Sequence, residues 1–403
     1  MRFGQFMYDW RDAINMDRLR KERLNKARDC MKKNGLGAIV LMDPANIRYT
    51  TSTRGAGWLP GYRYALLVQD ADPILYEHGD ISHTTRQECP WLGKVKYAYT
   101  WFRGQPGPLA DHVARLWAED IRNELREYRV DKDSIGLDAH EIASVKALND
   151  VGIQVKDGQT PMLSARVVKT EDEISCLKMG AAICEAMFDA VKRNLRPGVK
   201  ENELIAVGAE AGLRMGMEDI GFLEIASGPN TWPNNKSSTD RIIRPEELVF
   251  YDIPCSYNGY RTCYYRTFYV GKQPTQKQKE LYQQTLDWLR AAIKSVKPGA
   301  TTADIAKCWP DAKELWGYES EWKALANEWG HGIGLSLYEP PTFSRAFSFD
   351  YPFILRENMT FALETENGTE EDGGVRIEEM IRVTSTGAEI LSKYPIDEIT
   401  AVP

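Results

Sequence analysis

Gly330-His-Gly-Ile-Gly-Leu335 is the stretch of sequence that decides the fold, and two acidic segments follow it, one ending on Glu364 and one on Glu378. Each segment alternates apolar with other residues, as a half-buried strand does. His331 lies between two glycines and is one of five histidines in the chain. A histidine and two carboxylates on predicted strands indicate ligands that converge on one cavity. We therefore expect a metal site or an acid–base site built on these three residues.

The composition limits the class of protein. The chain has 403 residues, long enough for two or three domains. Its 51 Lys and Arg against 58 Asp and Glu argue against a nucleic-acid partner bound through phosphates. No stretch approaches the roughly 18 apolar residues of a membrane helix. Seven scattered cysteines without a Cys-x-x-Cys pair are typical of reduced thiols. We expect a cytoplasmic protein that acts on a small molecule, without a nucleic-acid or membrane partner.

The first domain, residues 1–162, is predicted to be α/β. Helical spacing from residue 16 ends at Gly35, a residue type that commonly follows a helix. Short apolar runs bounded by turn residues then alternate with helical patterns, which is typical of α/β domains. The predicted strands are residues 37–42, 46–49, 64–69 and 134–138, and a further helix is predicted at residues 109–128.

The second domain, residues 163–403, is predicted to contain two related halves. A capping box, Thr170 with Glu173, begins a long helix that stops at Arg196-Pro-Gly. Lys297-Pro-Gly stands in the same context, after one amphipathic helix and before the next. Chance or duplication of a helix, turn, helix and strand unit explains the match, and we favour duplication. The predicted class is α+β, an α/β domain followed by a pseudo-twofold domain.

A hairpin is predicted in the middle of the second domain. Asn258-Gly259 lies between a strand-like run that ends at Asp252 and another that begins at Tyr264. Asn-Gly between two such runs is a strong hairpin signal, so the runs are expected to pair antiparallel. Asp252 and Cys263 would then lie on paired strands, near each other across the hairpin.

These motifs together resemble the pita-bread superfamily of prolidase, aminopeptidase P, methionine aminopeptidase and creatinase. The resemblance covers the whole chain, and the overall pattern is most similar to the dimethylsulfoniopropionate lyase branch. It implies a creatinase/prolidase-like N-terminal domain followed by a pita-bread catalytic domain. The residues that carry it are Asp252, Gly259-Tyr260, Arg266-Thr267, residues 330–335, Pro340, Glu364 and residues 374–378, with residues 43–49 and 349–352 for the lyase branch.

The resemblance also implies a metal centre. Metal-dependent members hold two divalent ions with ligands in the order Asp, Asp, His, Glu, Glu. The matching positions are Asp252, Cys263, His331, Glu364 and Glu378, so that a cysteine replaces the second aspartate. Because a thiolate offers one soft donor atom and favours zinc or iron, we expect one or two ions of zinc, iron or manganese. The alternative is that no ion is bound, as in creatinase, a metal-free relative.

Three further positions depart from the family pattern. Tyr338 stands where the peptidases have a second histidine. Asn234 and Asn235 stand near the position where a histidine usually follows Ser-Gly-Pro-Asn. Leu337 stands where the lyase branch has an aspartate base. These replacements argue against carrying over either proline-peptide hydrolysis or the lyase chemistry unchanged.

Aromatic residues characterise the predicted substrate site. Such rings can surround an onium or guanidinium group by cation–π attraction. Tyr264 and Tyr265 are instead expected to be half-buried strand residues. In family dimers a partner's first domain reaches over the site, so the resemblance implies a homodimer with the partner's N-terminal domain near the active site. The predicted substrate-binding residues are Trp232, Asn234, Tyr260, Arg376 and Trp58.

Three functions are consistent with these residues. The first is a metal-dependent hydrolase of a small C–N or amide-bonded substrate, similar to Xaa-Pro peptidases and creatinase. In it His331, Glu364 and Glu378 hold the metal, one glutamate accepts a proton from water, and Tyr338 donates a hydrogen bond to the oxyanion or leaving group. The second is a lyase that cleaves an onium substrate such as dimethylsulfoniopropionate by β-elimination. The third is an inactive pita-bread domain that binds a partner.

Overall fold

The computed structural model describes residues 13–55, 63–101, 106–139, 141–221, 223–233, 237–324 and 329–403. The chain forms two compact units, Met1–Arg166 and Val167–Pro403. The predicted boundary after residue 162 falls in the helix that ends the first unit, a few residues before the observed division. In the described residues no helix is long and apolar enough to cross a bilayer.

The first unit is built on a six-stranded mixed sheet in the order β4-β3-β2-β1-β5-β6. The β1–β5, β5–β6 and β3–β4 pairs are parallel, and the other two are antiparallel. Its core includes Trp101 and Trp117, whose ring centres are 4.1 Å apart. The strands are β1 Ala38–Leu41, β2 Tyr64–Val68, β3 Ile74–Glu77, β4 Lys94–Tyr97, β5 Ile135–Leu137 and β6 Val155–Asp157. The helices are α1 Met16–Lys33, α2 Pro44–Thr51, α3 Gly79–Glu88, α4 Ala110–Glu127, α5 Ile142–Asp150 and α6 Gln159–Val167.

One element of the first unit was predicted wrongly. Residues 46–49 were expected to form a strand, but they lie inside helix α2. The Asp43 side chain caps this helix by accepting hydrogen bonds from the backbone N–H groups of Ala45 and Asn46, at 2.8 and 3.1 Å. Pro44 occupies the first turn, where its missing N–H is not needed. The cap and the proline outweigh the weak strand propensity of four residues.

The second unit contains a four-stranded sheet in the order β17-β11-β8-β7, a five-stranded sheet in the order β13-β12-β14-β15-β16 and a small β10-β9 ladder. Helix α9 packs on the five-stranded sheet, and Leu286 and Leu289 join the core beneath it. The helices are α7 Glu171–Asn194, α8 Glu201–Arg214, α9 Gln276–Ser295, α10 Thr302–Ala306, α11 Ala312–Trp316 and α12 Arg345–Ser348. The strands are β7 Glu224–Ser227, β8 Leu248–Asp252, β9 Ser256–Tyr257, β10 Tyr260–Arg261, β11 Tyr265–Val270, β12 Gly330–Gly332, β13 Glu339–Phe343, β14 Thr360–Thr369, β15 Gly373–Val383, β16 Ala388–Ile390 and β17 Thr400–Val402.

The two Pro-Gly sequences occupy equivalent turns. Gly198 follows α7 with φ 92°, and Gly299 follows α9 with φ 85°, so both adopt the backbone region that glycine favours. The N–H of Gly198 donates to the Ile243 carbonyl and that of Gly299 to the Leu355 carbonyl, each at 2.9 Å. Both preceding helices begin with a complete capping box. The structure thus supports the predicted duplication and the α+β class.

The two sheets are joined where the site lies. The Thr267 hydroxyl of β11 donates to the Arg376 carbonyl of β15 at 2.8 Å, and the Arg376 N–H donates back to that hydroxyl at 2.8 Å. The buried Arg266 guanidinium donates to the carbonyl of Glu378 and, at 3.0 Å, to the Glu379 carboxylate. Strand β11 therefore fixes β15 at the point where β15 carries Glu378.

Candidate metal centre

The glycines around His331 allow three strands to meet closely. His331 lies on β12, opposite Thr342 of β13 and Ala362 of β14. A side chain at Gly332 would collide with the backbone oxygens of Glu339 and Pro340. Because β12 is the middle of these strands, the His331 side chain is only 2% exposed. The glycine-histidine pattern therefore serves to bury an imidazole between two neighbouring strands.

The two predicted glutamates lie opposite each other. Glu364 of β14 pairs with Glu378 of β15, and Glu366 pairs with Arg376 two residues away. Since side chains alternate along strands, this register places all four on one face of the sheet. The Arg376 guanidinium forms an ion pair with Glu366 at 2.9 Å.

Cys263 approaches the same place from the other sheet. It lies just before β11 rather than on a strand, because the Asn258-Gly259 turn closes the short β9–β10 ladder first. The expectation that Asp252 and Cys263 lie on paired strands is wrong in this respect, since Asp252 pairs with Tyr265. Both remain beside the centre.

Three ligand atoms converge, one each from Cys263, His331 and Glu378, and all lie within 4.8 Å of one another. All three residues are buried. Asp252 and Glu364, although described, fall outside this compact group. The structure thus brings together three of the five predicted ligands tightly and places the other two at its margin.

The electrostatics of this group favour a cation. Burial and the neighbouring Glu364 and Asp252 raise the pKa of Glu378 well above its usual range. Burial and Glu224 raise the pKa of Asp252 to about 7. Burial and Glu378 likewise raise the pKa of the Cys263 thiol. Three buried acids that repel one another are stabilised in their charged forms by a bound cation.

Unpartnered atoms give a second sign that an ion fits. Among the described residues, no nitrogen or oxygen atom forms a hydrogen bond with either buried carboxylate oxygen of Glu378 or with Asp252 Oδ1, and the Cys263 thiol is the group that contacts Glu378. Buried polar atoms without partners are rare, and an ion is one of the explanations for them. Sulfur, nitrogen and oxygen donors together suit zinc and other borderline ions. The residues present therefore fit a divalent ion.

His331 is arranged as a neutral ligand. Its Nδ1 lies 3.1 Å from the Gly332 carbonyl oxygen. That oxygen only accepts hydrogen bonds, so the proton is assigned to Nδ1. Burial lowers the pKa of His331 to about 4, so the ring is neutral at physiological pH.

Two tyrosines frame the centre, and only one of them was predicted to act there. Tyr338 has its ring centre 4.3 Å from that of His331 and is 62% exposed, so it lies at the mouth of the site. Tyr265 is buried and donates from its hydroxyl to Glu364 Oε2 at 2.6 Å. The sequence predicted only a strand position for Tyr265. No local pattern singles it out, because its partner Glu364 lies 99 residues away in the chain.

The predicted substrate-binding residues do not all lie at the centre. The Trp232 ring stacks on Trp316 at 4.7 Å and 6°, which forms an aromatic pair in the second unit. Arg376 lies over the Phe250 ring at 4.6 Å. Tyr260 is fully buried and donates to Glu173 at 2.9 Å, so its contacts are those of a core residue and lend a substrate role no support. Asn234 and Trp58 lie outside the described residues.

A buried ion pair beside the site was missed from the sequence. Lys169 Nζ donates to Glu339 Oε2 at 2.9 Å, and both side chains are 1% exposed. The other Glu339 oxygen accepts the N–H of Ser336 at 3.0 Å. Ser336 belongs to the loop that carries Tyr338. The sequence shows Lys169 directly before the capping box, but it does not show that the partner of this lysine is Glu339, 170 residues further along the chain.

Comparison with known proteins agrees with this architecture. Residues 175–385 match metallopeptidase family M24, and residues 23–168 match the creatinase/prolidase N-terminal domain. A dimethylsulfoniopropionate lyase, DddP, from Roseobacter denitrificans is 26% identical over 407 residues, which covers 96% of this chain and 88% of the relative. An Xaa-Pro dipeptidase from Pyrococcus furiosus is 25% identical over 385 residues, and the alignment covers 93% of this chain and 98% of the relative.

Solved structures share the fold. The prolidase from Pyrococcus horikoshii OT3 aligns with a TM-score of 0.75 at 24% identity, over 94% of this chain and 100% of that one. Aminopeptidase P from E. coli aligns with a TM-score of 0.68 over 93% of this chain and 94% of its own. Because the family match spans over half of the sequence and includes the whole candidate centre, the chain belongs to metallopeptidase family M24, with the two-domain pita-bread fold of prolidases and aminopeptidase P.

Proposed function

We propose that this protein is a hydrolase of a small C–N or amide-bonded substrate and that it depends on a divalent ion. The observation that carries the proposal is the convergence of ligand atoms from Cys263, His331 and Glu378 within 4.8 Å in a buried setting. Asp252 and Glu364 stand beside these three. Family membership supports a hydrolase, and the Xaa-Pro dipeptidase from Pyrococcus furiosus is one relative that carries such a name.

The residues divide the chemistry among them. Cys263, His331 and Glu378 would hold the divalent ion, which would act as a Lewis acid and lower the pKa of water towards neutral. Glu378, buried among the three converging ligand atoms, or Glu364 beside it would accept a proton from attacking water. Tyr338, exposed at the mouth, donates a hydrogen bond to the developing oxyanion or to the leaving group. Water attacks the carbon of the C–N bond, and the glutamate then passes its proton to the nitrogen as that bond breaks, which yields the two hydrolysis products.

A lyase acting on an onium substrate is the second candidate. Sequence similarity to two dimethylsulfoniopropionate lyases supports it. The stacked Trp232 and Trp316 rings supply a surface of the kind that attracts an onium group. Leu337, an apolar residue where that branch has its base, disfavours it. Headspace detection of dimethyl sulfide released from dimethylsulfoniopropionate separates this activity from hydrolysis.

Metal content and turnover, measured on the same preparations, test the proposal. The panel contains Xaa-Pro dipeptides and small amide and guanidinium compounds. We expect bound metal and turnover in the natural protein, and loss of both in His331→Ala and Cys263→Ala. His83→Ala, an exposed histidine in the first unit, serves as the control and should retain both. Retention of metal and turnover by His331→Ala contradicts the proposal. A natural protein without metal or turnover supports a binding module instead.

We also propose that the protein is a cytoplasmic homodimer in which the partner's N-terminal domain contributes to substrate binding. The family resemblance supports the assembly, and the predicted contribution of Trp58 belongs to it. Light scattering during gel filtration measures the mass against 45.8 kDa for one chain. A single-chain mass at the concentration used for turnover contradicts the assembly.

A further inference from the structure

Arg266 lies behind the candidate centre, on the face of β11 that points away from it. Its neighbour Tyr265 donates to Glu364 from the other face of the same strand, because side chains alternate along a strand. On β15, Glu379 likewise follows Glu378 and lies on the opposite face of that strand. The Arg266 side chain is only 2% exposed, so its charge is held inside the protein.

Every N–H group of the Arg266 guanidinium has an acceptor. One terminal nitrogen donates to the Tyr265 carbonyl at 3.0 Å and to the Glu378 carbonyl. The other donates to the Glu379 carboxylate at 3.0 Å and to the Tyr394 carbonyl at 2.8 Å. The Nε–H group donates to the same Tyr394 oxygen at 3.2 Å. Because the five donors form a rigid planar fork, these acceptors together fix the position of the guanidinium.

This arrangement fixes the backbone where Glu378 leaves β15. The Glu378 carbonyl and the Glu379 carboxylate belong to consecutive residues, and one guanidinium holds both. The peptide between these residues cannot rotate without breaking a buried hydrogen bond, which is costly. The bond to the Tyr265 carbonyl ties the same guanidinium to β11 in the other sheet. The direction of the Glu378 side chain therefore depends on Arg266.

We propose that Arg266 is a positioning residue that fixes the direction of the Glu378 side chain and thereby sets how tightly the centre binds a divalent ion. The inference rests on the proposed function, because it assumes that an ion binds at Cys263, His331 and Glu378. It applies equally whether Glu378 contacts one ion or bridges two. It goes further by giving a role in metal binding to a residue that donates no atom to the ion.

Zinc binding to the metal-free protein tests this role. Arg266→Lys keeps the buried positive charge, but a single ammonium nitrogen cannot reach acceptors that are spread around a planar fork. We expect zinc affinity to fall about 10- to 100-fold, the usual effect of losing a group that orients a ligand. If Arg266→Lys does not fold, the double variant Arg266→Met, Glu379→Met replaces the buried pair by apolar side chains and should show the same fall.

Leu289→Ala is the control for stability. Leu289 lies in the core beneath α9, and the cavity that the substitution leaves destabilises the same unit. Its zinc affinity should equal that of the natural protein. Near-ultraviolet circular dichroism confirms that each variant is folded under the conditions of the titration. An equal loss of zinc affinity in Leu289→Ala would reduce the effect of Arg266 to stability and overturn the inference.

A double-mutant cycle identifies the residue through which Arg266 acts. Glu378→Gln keeps the shape of the side chain and removes its charge, so it should weaken zinc binding by itself. In the Glu378→Gln protein, Arg266→Lys should lower zinc affinity by at most about threefold more, because the two residues act as one unit. Losses that multiply would show that Arg266 does not act through Glu378 and would contradict the inference.

The outcomes separate this inference from the function on which it rests. A natural protein that binds no zinc overturns both. Zinc affinity that Arg266→Lys leaves unchanged overturns the role of Arg266 and leaves the hydrolase proposal intact. A fall in zinc affinity for Arg266→Lys but not for Leu289→Ala supports the role of Arg266 even when no compound of the panel is turned over.

Discussion

Tyr338 lies at the mouth of the site, where its proposed role in the chemistry can be tested separately from the fold. Its ring contacts His331 but 62% of the residue is exposed, so its hydroxyl does not hold the core together. We predict that Tyr338→Phe lowers kcat on the best substrate of the panel about 10- to 100-fold, because it removes a donor to developing charge. The free energy of unfolding should change by less than about 0.5 kcal/mol. Tyr351→Phe, 77% exposed, is the control. An unchanged kcat contradicts the role.

Asp138 gives a prediction about pH in the first unit. Burial raises its pKa to about 6, although its carboxylate accepts hydrogen bonds from the N–H of Met42 at 2.6 Å and from the Asn46 amide at 2.9 Å. The unfolded side chain releases its proton near pH 4. The folded one keeps it to about pH 6, so its contribution to stability is full below pH 4 and is lost as the pH rises to about 6.

Urea unfolding at pH 4 and pH 7 measures this effect. The unfolding free energy of Asp138→Asn, compared with that of the natural protein, should rise by roughly 2–3 kcal/mol from pH 4 to pH 7. A difference for Asp138→Asn that does not change between pH 4 and pH 7 would show that the proton is released at the same pH in the folded and unfolded states.

At the scale of elements, the Lys169–Glu339 pair decides how firmly the Tyr338 loop is held. Removing one partner leaves a buried charge alone, so we predict that Lys169→Met lowers the free energy of unfolding by about 3–5 kcal/mol. Lys178→Met is the matched control, because its pair with Glu389 is partly exposed and should contribute at most about 1 kcal/mol. Equal losses in chemical denaturation contradict a special role for the buried pair.

The elements also show what local sequence can predict. Helices α1, α4 and α7 begin and end within a residue or two of the predicted positions, because periodic apolar residues and capping signals are local. The strand prediction for residues 46–49 was wrong because four residues carry too little periodicity to outweigh the helix cap at Asp43. The predicted Asn-Gly hairpin does form. It closes the short β9–β10 ladder, however, so that Cys263 lies before β11 instead of on a strand.

For the whole molecule, the candidate centre lies entirely in the unit Val167–Pro403, so metal should stabilise that unit alone. Free zinc at about 100 times its dissociation constant adds roughly 2.7 kcal/mol to the unit that binds it. We predict that chelation with 1,10-phenanthroline speeds hydrogen exchange in β12, β14 and β15 and leaves β1 and β2 unchanged. Mass spectrometry of peptides measures hydrogen exchange in each unit separately.

His331→Ala provides the control for chelation. Without its imidazole the variant should exchange as fast in β12, β14 and β15 before chelation as after it. Equal acceleration in both units of the natural protein would indicate a general effect of the chelator. The absence of any change would show that these strands do not depend on an ion.

The sequence by itself determined the α+β class and the duplicated Pro-Gly turns, and it predicted His331, Glu364 and Glu378 as ligands. These predictions rest on local patterns, because alternating apolar residues mark the two strands that carry the glutamates and glycines beside the histidine let its strand be buried. Only the tertiary structure decided that Cys263 joins the compact group, that Tyr265 holds Glu364 and that Lys169 meets Glu339. Each of these contacts joins residues that are distant in the chain, and no pattern within one segment specifies how two sheets pack against each other.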